Sequence, residues 1–141
     1  MTPEQQALVR ESWARFEPAV RDVGAHFYDR LFELDPGARR LFALTDMPVQ
    51  EAKLRQMFGD IVRSLDQPAE LVSEVAALGR RHTHYGVKDG DYQSVGAALL
   101  WTLEQGLEEA FTPAVREAWS EAYLLVATVM RRAAAREYGA G

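Results

Sequence analysis

The chain has 141 residues, 48% of them hydrophobic, and a formal net charge of −5. That length fits one domain, 1–141, with a single core that buries about two-thirds of the unfolded surface. The acidic balance gives no electrostatic reason to bind nucleic acid or an acidic membrane, and the lack of cysteine excludes disulfides, thiolate metal centres and cysteine nucleophiles.

Punctuation along the chain is helical throughout. Thr2-Pro3 places a capping hydroxyl before a helix-compatible proline, and Leu8, Val9, Trp13 and Phe16 supply a buried side. Pro18 is expected to break or bend the path. A second helix follows with Val20, Val23, Phe27, Leu31 and Leu34 at intervals of three or four. Asp35-Pro36 repeats the cap-then-proline signal and opens a short helix through Leu41. After Thr45-Asp46-Met47-Pro48 comes another apolar stripe, Leu54, Met57, Phe58, Ile61 and Leu65, ending by Asp66-Gln67-Pro68. A helix is expected over most of 69–84. Gly86 and Gly90 then bracket a turn, with Asp91 as the expected cap of a helix carrying Val95, Leu99, Thr102, Leu103 and Gly106. Thr112-Pro113 starts a long last helix with Val115, Trp119, Tyr123, Val126 and Met130 along one side. No stretch keeps strand-like alternation, and none approaches the ~20 unbroken apolar residues of a membrane span. The expectation is an all-α domain of six or seven helices without stable membrane insertion. Helix content alone fits an interaction module, a bundle or a cofactor-binding fold equally well. Met1–Glu4 show neither a basic leader nor an apolar run, so the expected location is cytoplasmic.

His82 carries the most chemical information. Leu71, Val75, Leu78 and His82 are four, three and four residues apart, so one helix would present all four on one side. An imidazole there is either a hydrogen-bonded core residue or an axial ligand to something buried, such as haem. His84 would point away from His82, and His26 reads as surface or helix packing, so the three histidines form no metal clamp. Tyr28, next to Phe27, is either a core ring or a hydroxyl donor over a bound diatomic molecule. Gln50 would be a second donor if it is not simply exposed. Phe42 would cap the core, and Lys53 and Arg81 would be solvated or placed to neutralise carboxylates at a pocket mouth.

Several segments together resemble the globin family, specifically the bacterial single-domain globins related to the haem domain of flavohaemoglobins. They are FYDRLFELDPGARRLF (27–42), QEAKL (50–54), RRHTHYG (80–86), DYQSVGAALLWTL (91–103) and EAWSEAYLLVA (117–127). The resemblance runs from the first helix to about Arg132. It implies a globin fold around haem b, with His82 as the iron ligand and Phe42 stacked on the ring. Tyr28 and Gln50 take the distal polar positions and Leu54 the apolar one. Tyr92 and Val95 line the proximal face, and Lys53, Leu78, Arg81 and Val87 complete the implied haem contacts. One departure stands out: where those relatives place a glutamate to hydrogen-bond the proximal set, this chain has Ala134, and Glu137 is a poor substitute. The loss weakens the case for peroxidase-like chemistry.

The function implied is high-affinity, reversible oxygen binding for storage, scavenging or local delivery, with nitric oxide and carbon monoxide as further ligands. Nitric oxide dioxygenation is the alternative. It would need a separate reductase, because the sequence carries no flavin or nicotinamide fingerprint. A haem-free helical interaction module is a third expectation, and the quaternary state is expected to be monomer or homodimer.

Overall fold

The computed structural model describes the backbone at 1–19, 23–67, 69–73, 75–77 and 89–139, with side chains at those positions except 19, 89 and 134–139. Five named α-helices follow one another: α1 (Pro3–Ala19), α2 (Val23–Leu34), α3 (Met47–Arg63), α4 (Asp89–Leu107) and α5 (Pro113–Gly139). A 3₁₀ segment, Pro36–Phe42, lies between α2 and α3, and a 3₁₀ turn, Glu108–Ala110, joins α4 to α5. Residues 69–73 and 75–77 are also helical, and no strand occurs among the described residues. The all-α expectation holds.

Local chemistry explains most helix starts. The Gln5 amide donates to Thr2 Oγ1 at 3.1 Å, and the Thr2 amide donates back to Gln5 Oε1 at 3.0 Å. Two orphan donors are thereby satisfied at once. Asp46 accepts from the Val49 amide ahead of α3, and Thr112 Oγ1 accepts from the Val115 amide at 3.2 Å ahead of α5. Such caps contribute about 1 kcal/mol each.

Two expected caps are used otherwise. Asp35 makes no side-chain capping bond; its carboxylate accepts from Ser94 Oγ on α4 at 3.3 Å, while its carbonyl closes the turn with the Ala38 amide. Asp91 lies inside the first turn of α4, which begins at Asp89 and also contains Gly90, and its buried carboxylate meets Arg40 at 3.2 Å. At Asp35 a distant partner takes the carboxylate in place of the local amides. Pro18 does not break α1 before its end: the helix runs one residue past it, and Arg55 of α3 donates to the Glu17 carbonyl at 2.7 Å. Leu34, expected inside, is 43% exposed at the end of α2.

The core has one dense end. Helices α1 and α5 pack along each other, with Trp13 and Trp119 ring centroids 6.1 Å apart. Trp119 Nε1 donates to Ser12 Oγ at 2.8 Å, and the Ser12 hydroxyl donates in turn to the Leu8 carbonyl at 2.6 Å. Val9, Phe16, Val115 and Ala118 fill the space around this chain of bonds. Helix α2 packs against both α3 and α4, and Leu103 and Ala98 of α4 are fully buried.

Candidate haem-pocket residues

The crossing of α2 and α3 sets the geometry of the candidate site. A Cβ on Gly24 would lie 2.5 Å from Glu51 Cβ and 2.7 Å from Glu51 Cα, so here the two helices touch backbone to side-chain root. Any larger residue would have to part them. One turn beyond Gly24 on α2 stands Tyr28, and adjacent to Glu51 on α3 stands Gln50. The close approach brings these two together: Gln50 Nε2 donates to Tyr28 Oη at 3.0 Å. Burial makes this bond matter, because Tyr28 is 5% exposed.

Around the Tyr28 ring lies an aromatic cluster. Phe42, at the end of the 3₁₀ segment, meets it edge-on at 5.1 Å, and Phe27 does the same at 5.1 Å. Phe32 stacks on it at 6.1 Å, and the Arg39 guanidinium covers Phe32 at 4.6 Å. Edge-to-face contacts of this kind fix ring orientation as well as burying area. Leu54 is buried one turn after Gln50, whereas Lys53 is exposed on α3. On α4, Tyr92 is buried and Val95 half-buried.

Burial pushes the Tyr28 hydroxyl above its ordinary range; the Gln50 bond works against that shift, and Glu51 adds to it. The group therefore stays protonated near neutral pH. In the Gln50 bond the tyrosine oxygen accepts, and no other hydrogen bond involves this hydroxyl among the described residues. Its proton is left to donate. A buried donor of this kind, walled by half-buried aromatic rings, fits a site that encloses an apolar planar group with a polar ligand on it.

Four of the sequence-predicted positions, His82, Leu78, Arg81 and Val87, lie outside the described residues, as do His84 and the side chains of Ala134 and Glu137. Of the others, Tyr28, Gln50 and Phe42 converge and Leu54 is buried, while Lys53 does not join them. His26 is exposed, as one of its readings held. Among the described residues no cluster of three metal-ligating side chains occurs.

Sequence reasoning missed the supports. Gly24 was detectable only as a glycine within an apolar helical run. Tyr123 donates its hydroxyl to the Tyr92 carbonyl, and its ring covers Gly96, where a Cβ would lie 2.7 Å from the ring. Burial holds the Tyr123 hydroxyl well above its usual range. The Arg131 guanidinium lies 4.9 Å from the Tyr92 ring centre. No spacing rule in the sequence links residues that far apart.

A globin family model matches residues 25–130. The chain belongs to the globin family. This globin is 30% identical over 131 residues to a flavohemoprotein of Vibrio cholerae, covering 92% of this chain and 33% of that protein. It thus spans about a third of that relative's length. Over 136 residues it is 29% identical to an anaerobic nitrite reductase of Casuarina glauca, covering 86% of this chain and 85% of that one. A hexacoordinated heme protein from an anhydrobiotic tardigrade shares its fold, with a TM-score of 0.82 over 94% of each chain at 16% identity. Membership makes the chain a haem-binding protein of the class that takes diatomic gases. No helix among the described residues is long and apolar enough to cross a membrane.

Proposed function

We propose that this globin binds oxygen reversibly and tightly through haem b, serving storage, scavenging or local delivery in the cytoplasm. The observation that carries the reading is the Tyr28–Gln50 pair, in which the half-buried amide occupies the oxygen of a buried phenol and leaves the phenol proton free. Haem, when bound, would supply an iron that takes a diatomic ligand. His82 would hold the group as its iron ligand, and Phe42 would pack against it. Tyr28 donates to the ligand, and Gln50 fixes the direction of that donation. The amide's second N–H remains available for a second bond. Leu54 keeps the surroundings apolar, which strengthens both bonds. Leu78, Arg81, Val87, Tyr92 and Val95 would complete the contacts, and Lys53, exposed on α3, would reach only the rim. A buried hydrogen bond to an acceptor carrying developing charge contributes about 1.5–3 kcal/mol, or roughly ten- to hundredfold in escape rate. Affinity would be high because dissociation is slow.

Absorption spectra of ferric, dithionite-reduced and carbon monoxide-bound protein test the assignment. A stoichiometric Soret band with a histidine-type carbon monoxide spectrum is expected, and the His82→Ala variant should not retain haem. If that variant keeps haem normally, the proximal assignment is wrong. Tyr28→Phe should release oxygen about ten- to hundredfold faster in stopped flow; an unchanged rate means its hydroxyl does not reach the ligand.

The similarity to a flavohemoprotein favours a second reading, nitric oxide dioxygenation with a separate reductase. Multiple turnover of nitric oxide to nitrate with added reductase and reductant supports it; stoichiometric consumption does not.

A further inference from the structure

Two polar contacts between residues more than fifty apart in sequence join the Phe42 segment to the start of α4. Arg40 Nη2 donates to Asp91 Oδ2 at 3.2 Å, and Ser94 Oγ donates to Asp35 Oδ2 at 3.3 Å. They lie one turn apart on α4 and at opposite ends of the same short 3₁₀ segment. Arg40 bridges in two directions, because its Nη1 donates to the Gly37 carbonyl at 2.6 Å within its own turn. A Cβ on Gly37 would sit 3.4 Å from Asp35 Oδ1 and 3.7 Å from Arg40 Nη1, so the glycine lies snugly beside both.

The placement of the charges is not that of an ordinary surface pair. The Asp91 side chain is only 9% exposed, while Arg40 is 43% exposed and reaches it from outside. Asp35 stands at the N-cap of the 3₁₀ segment, yet its carboxylate meets Ser94 rather than a local amide. The backbone of the 3₁₀ segment packs on α2, so toward α4 it is held largely by side chains. Phe42 ends this segment, and Tyr92 and Val95 stand beside Asp91 and Ser94.

We propose that Arg40–Asp91 and Ser94–Asp35 form a clasp that holds the Phe42 segment against the start of α4 and slows loss of the planar group between them. The clasp rests on the haem assignment made above. Its residues are positioning residues: they do not touch the ligand, but they keep Phe42 and the Tyr92–Val95 wall at a fixed separation. A short 3₁₀ segment opens at lower cost than a long helix, so its cross-links set how often the pocket is breached.

The test is haemin transfer from the loaded globin to an excess of an apoprotein acceptor, followed by absorbance. Arg40→Gln, a change at a partly exposed position, should speed haemin loss about fivefold, the magnitude expected of a partly screened charged bond. Ser94→Ala should speed it independently, by less. Asp91→Asn combined with Arg40→Gln should lose haemin no faster than the more affected single variant, because the two substitutions share the Arg40–Asp91 contact. Carbon monoxide spectra should stay as in the wild type, since the iron ligand is untouched. Hydrogen exchange at the Ala38 and Thr45 amides of the loaded protein should quicken in Arg40→Gln, a local opening that general destabilisation would not confine to this segment. Unchanged loss in both single variants overturns the clasp while leaving haem binding intact. Failure of the wild-type chain to take up haemin overturns both.

Discussion

The two ends of this globin handle buried polarity in opposite ways. Between α1 and α5, the Trp119 N–H is satisfied by Ser12, and Ser12 by the Leu8 carbonyl, inside a shell of fully buried apolar side chains. The chain of bonds ends in the protein. Between α2 and α3, the Gln50 amide ends on the Tyr28 oxygen, and the phenol proton remains unspent among half-buried aromatic rings. A closed network serves stability, whereas an unfinished one leaves a donor for the ligand proposed above. Substitutions at the first end should therefore cost folding free energy, and substitutions at the second should alter ligand kinetics.

The largest test of this contrast is Trp119→Ala. It removes a large ring from a packed interface and should lower stability by about 3–5 kcal/mol in urea unfolding. Oxygen release from the molecules that remain folded should change little; a large change would mean that the two ends are coupled. Gly24→Ala tests the joint between stability and kinetics. The added methyl meets Glu51 Cβ at 2.5 Å, so α2 and α3 must part. Stability should fall by about 1–3 kcal/mol. Oxygen release should also speed up, because the Tyr28–Gln50 bond depends on that crossing. Loss of stability with unaltered release would show that the pair can re-form after the helices shift.

The smallest expected effect is that of pH. The folded-state pKa of Tyr28 is raised above its ordinary 10.0 by burial. The neutral phenol is the donor, so its contribution is fully present below the ordinary value and is lost only as pH rises through the raised one. Oxygen release should accordingly stay flat between about pH 6 and about pH 9. A break in the rate near pH 7–8 would assign control of release to some other group.

Much of the helix plan was readable from local signals. Thr2-Pro3 and Thr112-Pro113 mark starts because a short oxygen-bearing side chain satisfies amides only a few residues away. At Asp35 the rule found the right start, with Pro36 opening the 3₁₀ segment, but not the carboxylate's partner; at Asp91 it misplaced the start, which lies at Asp89. Their sequence context is that of a cap, yet Ser94 and Arg40, more than fifty residues distant, hold their carboxylates. The candidate site was legible as a set of residue types, through segments such as 27–42 and 50–54, but not as a set of contacts. Nothing in those segments shows that the glutamine donates to the tyrosine, or that Gly24 makes the meeting possible.

By itself the sequence determined an all-helical chain, its principal caps, the apolar side of each helix, and residues whose order resembles a globin. These follow from interactions within one or two helical turns, where spacing along the chain is spacing in space. Tertiary structure alone decided that α2 and α3 touch at Gly24, that the Gln50 amide occupies the Tyr28 oxygen, and that Arg40 and Ser94 tie the Phe42 segment to α4. Those facts depend on how whole helices cross, and a crossing is fixed by the packed surfaces of both partners rather than by either sequence segment.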